Sequence, residues 1–297
     1  MLASNLYIGP AGWSYPDWGG IVYPAKKPRN FSPLDFIARY FSTVEINSTF
    51  YRIPAVTSVN KWINTISRHR QFKFCVKLWQ GFTHASNPAA QKDWSEFFSV
   101  LRVFADHNGL GALLIQFPWR FKKNDTSLDQ LKKIMERFAP FPCAVEFRHG
   151  SWQDESTYRL LRDYNAAFVN IDQPVIGDSI EPSDILTSDI GYFRFHGRNY
   201  QSWFAEKSDR DARYNYLYSE MELMSWIDSI KKSEGNTGET YIVFNNHFRG
   251  QAIINAFQLR YILLQEKPRI PQTLMEAFPE ARQFAVAEPD GRTLDLF

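Results

Sequence analysis

The chain is expected to fold as a single parallel β/α barrel of the TIM type, and three observations predict it. Eight short apolar runs alternate with helix-like stretches, the pattern of parallel strands joined by crossover helices. Six segments begin apolar and end in a knot of polar residues: Thr43–Arg52, Leu110–Pro118, Pro142–Trp152, Ala166–Asp172, Ile190–Arg198 and Thr240–Gln251. Such strands are buried along their length and open onto a pocket, as barrel strands do at their C-terminal ends. Finally, the Gly-rich phosphate turn of the main rival, an open doubly wound sheet, is missing.

Taken in order, the strand runs are Leu6–Gly12, Thr43–Thr49, Gln71–Leu78, Leu110–Phe117, Cys143–His149, Ala167–Asp172, Gly191–His196 and Thr240–His247. Helical stretches fall at Pro33–Phe41, Val56–Arg70 and Asp93–Asn108, the last stopped by Gly109. Ser127–Phe138 follows a plausible cap at Thr126-Ser127, then come Asp154–Tyr164, the long Tyr214–Ser233 and Gly250–Gln265. After strand six there is only a weak segment, Pro182–Ser188, so a weak or missing helix is expected there. No repeat or interdomain linker appears. The reading is one domain over residues 1–284 and a flexible tail over 285–297.

Composition sets bounds. At 297 residues with 44% hydrophobic content the chain can bury one large core. A net charge of +2 gives no global field toward nucleic acid or acidic membrane, so any polyanion site is local and nucleic-acid binding stays open. Cys75 and Cys143 both fall in strands and are expected as buried free thiols, which suits a reducing cytoplasm. No secretory signal and no apolar run near the roughly 20 residues of a membrane span is visible.

Side chains alternate along a strand. If the apolar partners face the helices, the polar residues point inward in two layers. Glu45, Glu146, Asn170, Arg194 and Asn245 are deeper; Asn47, Arg148, Asp172, His196 and His247 are nearer the mouth. Strand three turns Lys73, Cys75 and Lys77 inward, and strand four contributes Gln116. Buried charges must be paired, so the deeper layer can be structural, with Glu45 on Arg194 and Glu146 on a neighbouring cation. The mouth layer is the better candidate for chemistry. Two loops rich in aromatics and cations, 13–30 and 196–215, are expected to cover it; the second holds Arg198, Trp203 and Arg213.

These segments resemble the YecE-like family of β/α barrels, a domain of unknown function. The resemblance spans roughly residues 7–260. It rests on Gly12-Trp13-Ser14-Tyr15, Val44-Glu45-Ile46-Asn47-Ser48-Thr49-Phe50-Tyr51, Gln116-Phe117-Pro118, Val145-Glu146-Phe147-Arg148-His149, His196-Gly197-Arg198 and Phe244-Asn245-Asn246-His247. It implies a barrel and a site at the strand ends, and no established reaction. Pro10-Ala11 before Gly12 departs from the small hydroxyl residues expected there.

The site chemistry points to an enzyme or ligand-binding protein acting on a small phosphate- or carboxylate-bearing anion, a phosphate-ester hydrolase being one form. Glu45, Glu146, Asp172, His196 and His247 are the candidate proton-transfer groups. Asn47, Lys77, His84, Gln116, Arg148, Arg194, Arg198, Asn245 and Asn246 are the candidate ligand contacts. Three inward cations (Lys77, Arg148, Arg194) would balance three carboxylates (Glu45, Glu146, Asp172) without metal, and no cofactor is expected. The alternative of a divalent-metal hydrolase or nuclease would use Glu45, Glu146, Asp172, His196 and His247 as ligands, though HExxH-type spacing is absent. Ser14, Ser48 and Ser151 lie near rim histidines, but none sits in a nucleophile elbow. A further alternative is a DNA-metabolism role or adaptor role. The ending Arg292-Thr293-Leu294-Asp295-Leu296-Phe297 resembles the peptides that dock into the bacterial sliding clamp, with Leu294, Leu296 and Phe297 as anchors.

Overall fold

The computed structural model describes residues 5–69, 71–85, 89–201, 203 and 212–288. Eight strands form the inner layer: β1 (Leu6–Pro10), β2 (Thr43–Ile46), β3 (Lys73–Lys77), β4 (Leu110–Gln116), β5 (Cys143–Glu146), β6 (Ala167–Asp172), β7 (Ile190–Phe195) and β8 (Glu239–Phe244). All pair in parallel, in the order β1-β8-β7-β6-β5-β4-β3-β2. The ring closes between β1 and β2 through the Ala11–Glu45 bridge, where Gly12 N–H donates to the Glu45 carbonyl at 2.8 Å. Gly9 permits this approach, since a Cβ there would collide with the Thr43 carbonyl oxygen. The result is a near-closed TIM-type barrel.

Each strand starts within two residues of its expected position, and several stop earlier than expected. The ladder of β2 ends at Ile46, that of β5 at Glu146 and that of β8 at Phe244. Asn47, Arg148, Asn245 and His247 therefore stand just past the hydrogen-bonded ladder, at the barrel mouth.

The outer layer contains α1 (Pro33–Ala38), α2 (Ser48–Tyr51), α3 (Val56–Ile66), α4 (Gln80–Thr83), α5 (Gln91–Asp106), α6 (Asp125–Phe138), α7 (Glu155–Asp163), α8 (Glu220–Met224), α9 (Ile227–Asn236) and α10 (Gln251–Leu264). Helix α6 starts two residues before its expected first residue, Ser127, and its cap is Asn124. Asn124 Oδ1 accepts from Ser127 N–H at 2.9 Å and Ser127 Oγ accepts from Asn124 N–H at 2.9 Å, a reciprocal box that satisfies two end donors. Asp154 caps α7 by accepting from Thr157 N–H at 2.8 Å.

The helix expected over Tyr214–Ser233 is instead broken into a turn at Ala212–Tyr214 and the separate helices α8 and α9. Ser219 and Glu222 form a capping box that restarts the chain as α8. The break lets Tyr218 and Trp226 both reach the same carboxylate on β6. After β6, residues 173–189 contain no helix, as expected. This segment is held against the barrel by side-chain bonds such as Thr187 Oγ1 accepting from Phe168 N–H at 2.8 Å.

Helix α10 buries residues on all sides, including Ile253, Asn255 and Phe257. The chain beyond it explains this. Strand β9 (Arg269–Pro271), helix α11 (Gln272–Ala277) and strand β10 (Val286–Glu288) follow, with β9 and β10 paired in parallel. Phe284 packs on Tyr261, and Tyr40 OH donates to Glu288 Oε2 at 2.9 Å. Residues 285–288, counted with the tail from sequence, thus belong to the packed fold. The candidate docking residues Leu294, Leu296 and Phe297 lie outside the described residues. Cys75 and Cys143 are free and buried. Among the described residues no helix is long and apolar enough to cross a membrane.

Candidate functional site

The floor of the mouth is an ion-pair network assembled from three strands. Arg194 of β7 lies between two carboxylates, with Nη2 2.6 Å from Glu45 Oε1 of β2 and Nη1 donating to Glu146 Oε2 of β5. Tyr192 OH adds a bond to Glu45 Oε2 at 3.0 Å. Arg148 Nε lies 2.6 Å from Glu146 Oε1. Arg194 is 1% exposed and both carboxylates are 0% exposed. Burial alone would push the Glu146 carboxyl up, but the Arg148 and Arg194 guanidiniums outweigh it and hold it well below the usual range. The expected pairing of the deeper layer is therefore present.

His196 roofs this network, fully buried. Its Nε2 faces Arg148 Nη2 at 3.1 Å and Arg194 Nη1 at 3.4 Å, and neither guanidinium can accept a hydrogen bond. The Glu146 Oε1 acceptor is farther, at 3.6 Å, so the closer guanidiniums assign the lone pair to Nε2 and the proton to Nδ1. Nδ1 is 3.0 Å from the Asn245 amide, which on this argument turns its oxygen to the ring. Burial, then Arg148 and Arg194, push the imidazole well below its ordinary pKa, so His196 is neutral at pH 7.

Above the floor is a cavity of about 390 Å³ lined by Tyr15, Asn47, Tyr51, Lys77, Arg213, Tyr214, Asn245 and His247. His247 is stacked on Tyr15 at 4.3 Å and lies 4.9 Å from the Tyr214 ring. Its carbonyl accepts from Trp18 Nε1 at 2.8 Å, so the loop after β1 holds the end of β8 in place. Lys77 closes β3 and turns inward, as parity predicts. Its Nζ sits 4.2 Å from the Phe50 ring centroid and makes no ion pair among the described residues. Burial, then the nearby Arg194, bring its pKa down to about 7, with Glu45 and Glu146 opposing.

Two expected contacts stand at the side. Gln116 is in register with Glu146, but its amide donates to the Phe117 carbonyl at 3.2 Å. His84 bonds Thr83 Oγ1 at 2.7 Å and packs in a T-shaped contact with Phe50 at 4.9 Å. Burial, then Lys77, lower it to about 4.

Strand β6 corrects the parity reading. Asn170 and Asp172 face the helices, not the interior. The register shows why: Asn170 pairs with Phe193 and Asp172 with Phe195, both outward, while Val169 and Ile171 pair with the inward Tyr192 and Arg194. Apolar residues fill the interior of this strand, and the irregular connection after it supplies polar partners outside. Asn170 Oδ1 accepts from Ser183 Oγ at 2.8 Å and Ile185 N–H at 2.9 Å. Asp172 accepts from Tyr218 OH at 2.8 Å and Trp226 Nε1 at 2.9 Å.

Arg198 leaves the mouth with it, donating to Asp172 through Nε at 2.9 Å and Nη2 at 2.5 Å. Asn246 also turns outward, donating to Asn255 Oδ1 at 2.9 Å and the Tyr216 carbonyl at 2.8 Å. Ser151 bonds His149 Nδ1 at 2.9 Å within a turn after β5, clear of the cavity lining.

Two consequences follow. The set Glu45, Glu146, Asp172, His196 and His247 does not converge, and among the described residues no group of three His, Cys, Asp or Glu could hold a metal. The expected charge balance is also broken. With Asp172 gone, Lys77, Arg148, Arg194 and the rim's Arg213 stand against Glu45 and Glu146 alone among the described residues. Tyr51, quoted only within a resemblance motif, and Tyr214, which falls in the loop expected to cover the mouth, are cavity residues that strand parity did not single out. Tyr51 lies in a four-residue helix after β2 and Tyr214 in an irregular loop, where no periodicity marks the inward face.

A parallel β/α barrel with a polar mouth at its strand ends defines the class. Residues 7–281 match the family described as "Protein of unknown function DUF72", and the chain belongs to that family. It is 29% identical over 272 residues to UPF0759 protein YunF of Bacillus subtilis (strain 168), covering 87% of this chain and 94% of that protein. It is 27% identical over 146 residues to UPF0759 protein YecE of Escherichia coli (strain K12), covering 48% of each. A crystal structure of a DUF72 family protein from Thermotoga maritima MSB8 superposes with a TM-score of 0.77 at 35% identity, covering 87% of this chain and 99% of that one. One from Enterococcus faecalis V583 gives 0.76 at 24% identity over 87% and 95%.

Proposed function

We propose that the barrel mouth binds a small anion bearing a phosphate or carboxylate group. The observation that carries this reading is the cation excess around the cavity, with Lys77 lacking a carboxylate partner among the described residues. Glu45 and Glu146 are engaged by Arg194 and Arg148, so among the described residues they leave positive charge at the rim unmatched. In a partly desolvated cavity a charge-assisted hydrogen bond from Lys77 or Arg213 is roughly twice as strong as a neutral one. The amides of Asn47 and Asn245 line the same wall and would orient the bound oxyanion.

Calorimetric titration with orthophosphate, pyruvate and sulfate tests this. At least one is expected to bind, and Lys77→Met to weaken it about tenfold or more, the worth of one charge-assisted bond. Affinity is expected to rise as the pH falls through about 7, because Lys77 gains its charge there. Absence of heat and of thermal stabilisation with every anion would remove the reading.

A further inference from the structure

Two lysines on β3 point into the barrel, and they are treated differently. Lys73, at the closed end, has its Nζ ion-paired with Glu239. Lys77, four residues on and on the same face, has only the Phe50 ring as a cation partner among the described residues and opens onto the cavity. The floor carboxylates Glu45 and Glu146 face it but are engaged by Arg194 and Arg148. An amine held among guanidiniums in a partly dry pocket, beside an imidazole and phenols, is the setting in which lysine acts as a nucleophile toward carbonyl carbon.

We infer that Lys77 condenses with the carbonyl group of a small anionic oxo compound, a 2-oxo acid or a phosphorylated ketone, to form an imine. The inference rests on the anion-binding reading and adds the substrate's second functional group. The neutral amine attacks the carbonyl carbon, and the C=O π pair moves to oxygen. Nitrogen loses a proton and oxygen gains one, giving the carbinolamine. A second proton on that oxygen lets it leave as water while the nitrogen lone pair forms C=N, and the N–H proton of the resulting iminium then returns to the cavity wall to leave the imine. No electrons are lost or gained, and water is the only by-product. His247 and Tyr214 line the same cavity as Lys77, and these are the groups we assign to carry the protons. Burial and Arg194 keep a large neutral fraction of Lys77 near pH 7. Among the described residues, Glu45 of β2, Glu146 at the end of β5 and Arg148 just past it, Arg194 of β7, His84 after α4, and Tyr15, Tyr51, Arg213, Tyr214 and His247 of the cavity wall are the charged and titratable groups around it.

The test is borohydride trapping. The full-length protein is incubated with pyruvate, or separately with dihydroxyacetone phosphate, then reduced with sodium borohydride and mapped by peptide mass spectrometry. One adduct is expected on Lys77 and none on Lys73. Excess lactate or glycerol 3-phosphate, which match the charge but lack the carbonyl, is expected to suppress it. Lys77→Arg is expected to abolish it. The trapping rate is expected to fall about tenfold per unit of pH below about 7, where the amine is protonated. That is opposite to the pH trend of simple anion affinity. No adduct with either compound, or adducts spread over surface lysines and unaffected by lactate, would overturn the inference. If the wild-type protein still binds phosphate in that case, imine formation fails and the anion site stands. If it binds neither, both fail. The wild-type peptide map and the lactate arm decide the matter even if Lys77→Arg does not fold.

Discussion

Replacing Arg194 with Met is expected to cost about 3–5 kcal/mol of unfolding free energy, the usual result of removing one partner from a buried charge network. Arg194 lies between Glu45 and Glu146, all three at 0–1% exposure, so its loss strands two carboxylates where water cannot reach them. Arg148 remains beside Glu146, whereas among the described residues Glu45 keeps the Tyr192 hydroxyl as its side-chain hydrogen-bond partner.

The pH dependence is expected to change sign. In the wild type Glu146 ionises well below an ordinary carboxylate, so the folded state binds fewer protons than the unfolded one near pH 4. That contribution is complete above about pH 4.5 and is lost as the pH falls through the folded value. In Arg194→Met burial is no longer outweighed, one carboxylate takes up a proton on folding, and stability falls as the pH rises from about 5 to 7. Urea denaturation of both proteins across this range checks the result. Equal stability, or parallel pH slopes, would show that the network is not a structural element.

Asp172→Asn is expected to destabilise the protein by about 2–4 kcal/mol and leave anion affinity at the mouth within about twofold of wild type. Asp172 is 1% exposed and accepts from four donors: Arg198 Nε and Nη2, Tyr218 OH and Trp226 Nε1. An amide removes the charge and turns an NH2 group against two of those donors. The partial exposure of Arg198 keeps the cost below that of the Arg194 network. This residue pins α8, α9 and the loop carrying Arg198 to the outside of β6. A catalytic Asp172 would give the reverse outcome, near-normal stability with lost ligand binding or turnover. Denaturation and calorimetry on one preparation separate the two.

The Asp172 case shows where sequence reading stops. Alternation along Ala167–Asp172 is plain, but alternation assigns two faces without saying which is inside. In β2, β5 and β7 the apolar partners face amphipathic helices, so polar means inward. Strand β6 borders a helix-free connection whose Ser183, Ile185 and Thr187 groups satisfy polar side chains from outside. Only the register with Phe193 and Phe195 settles the face. Asn246 fails for a related reason: its partner Asn255 lies on α10, a helix packed on all sides, and nothing in the helix pattern marks a buried polar position there.

What was legible was what strand periodicity controls: eight strands, their order along the chain, the Glu45–Arg194 pair, and Asn47, Lys77 and His247 at the mouth; Asn245, expected in the deeper layer, lines the mouth instead, because the β8 ladder ends at Phe244. The contributions of Tyr51 and Tyr214 come from segments too short or irregular to carry a period. The break between α8 and α9 was hidden because Glu220–Asn236 is mostly helix-forming in composition, and the tertiary demand of Asp172 overrides it.

The central claim, that the cation excess at the mouth holds an anion, is tested most directly by a crystal structure of the protein grown with pyruvate or phosphate. The predicted result is the anion inside the cavity, within hydrogen-bonding distance of Lys77 and bordered by Asn245 and His247. An anion bound only elsewhere on the surface, with the cavity holding water alone, would contradict it.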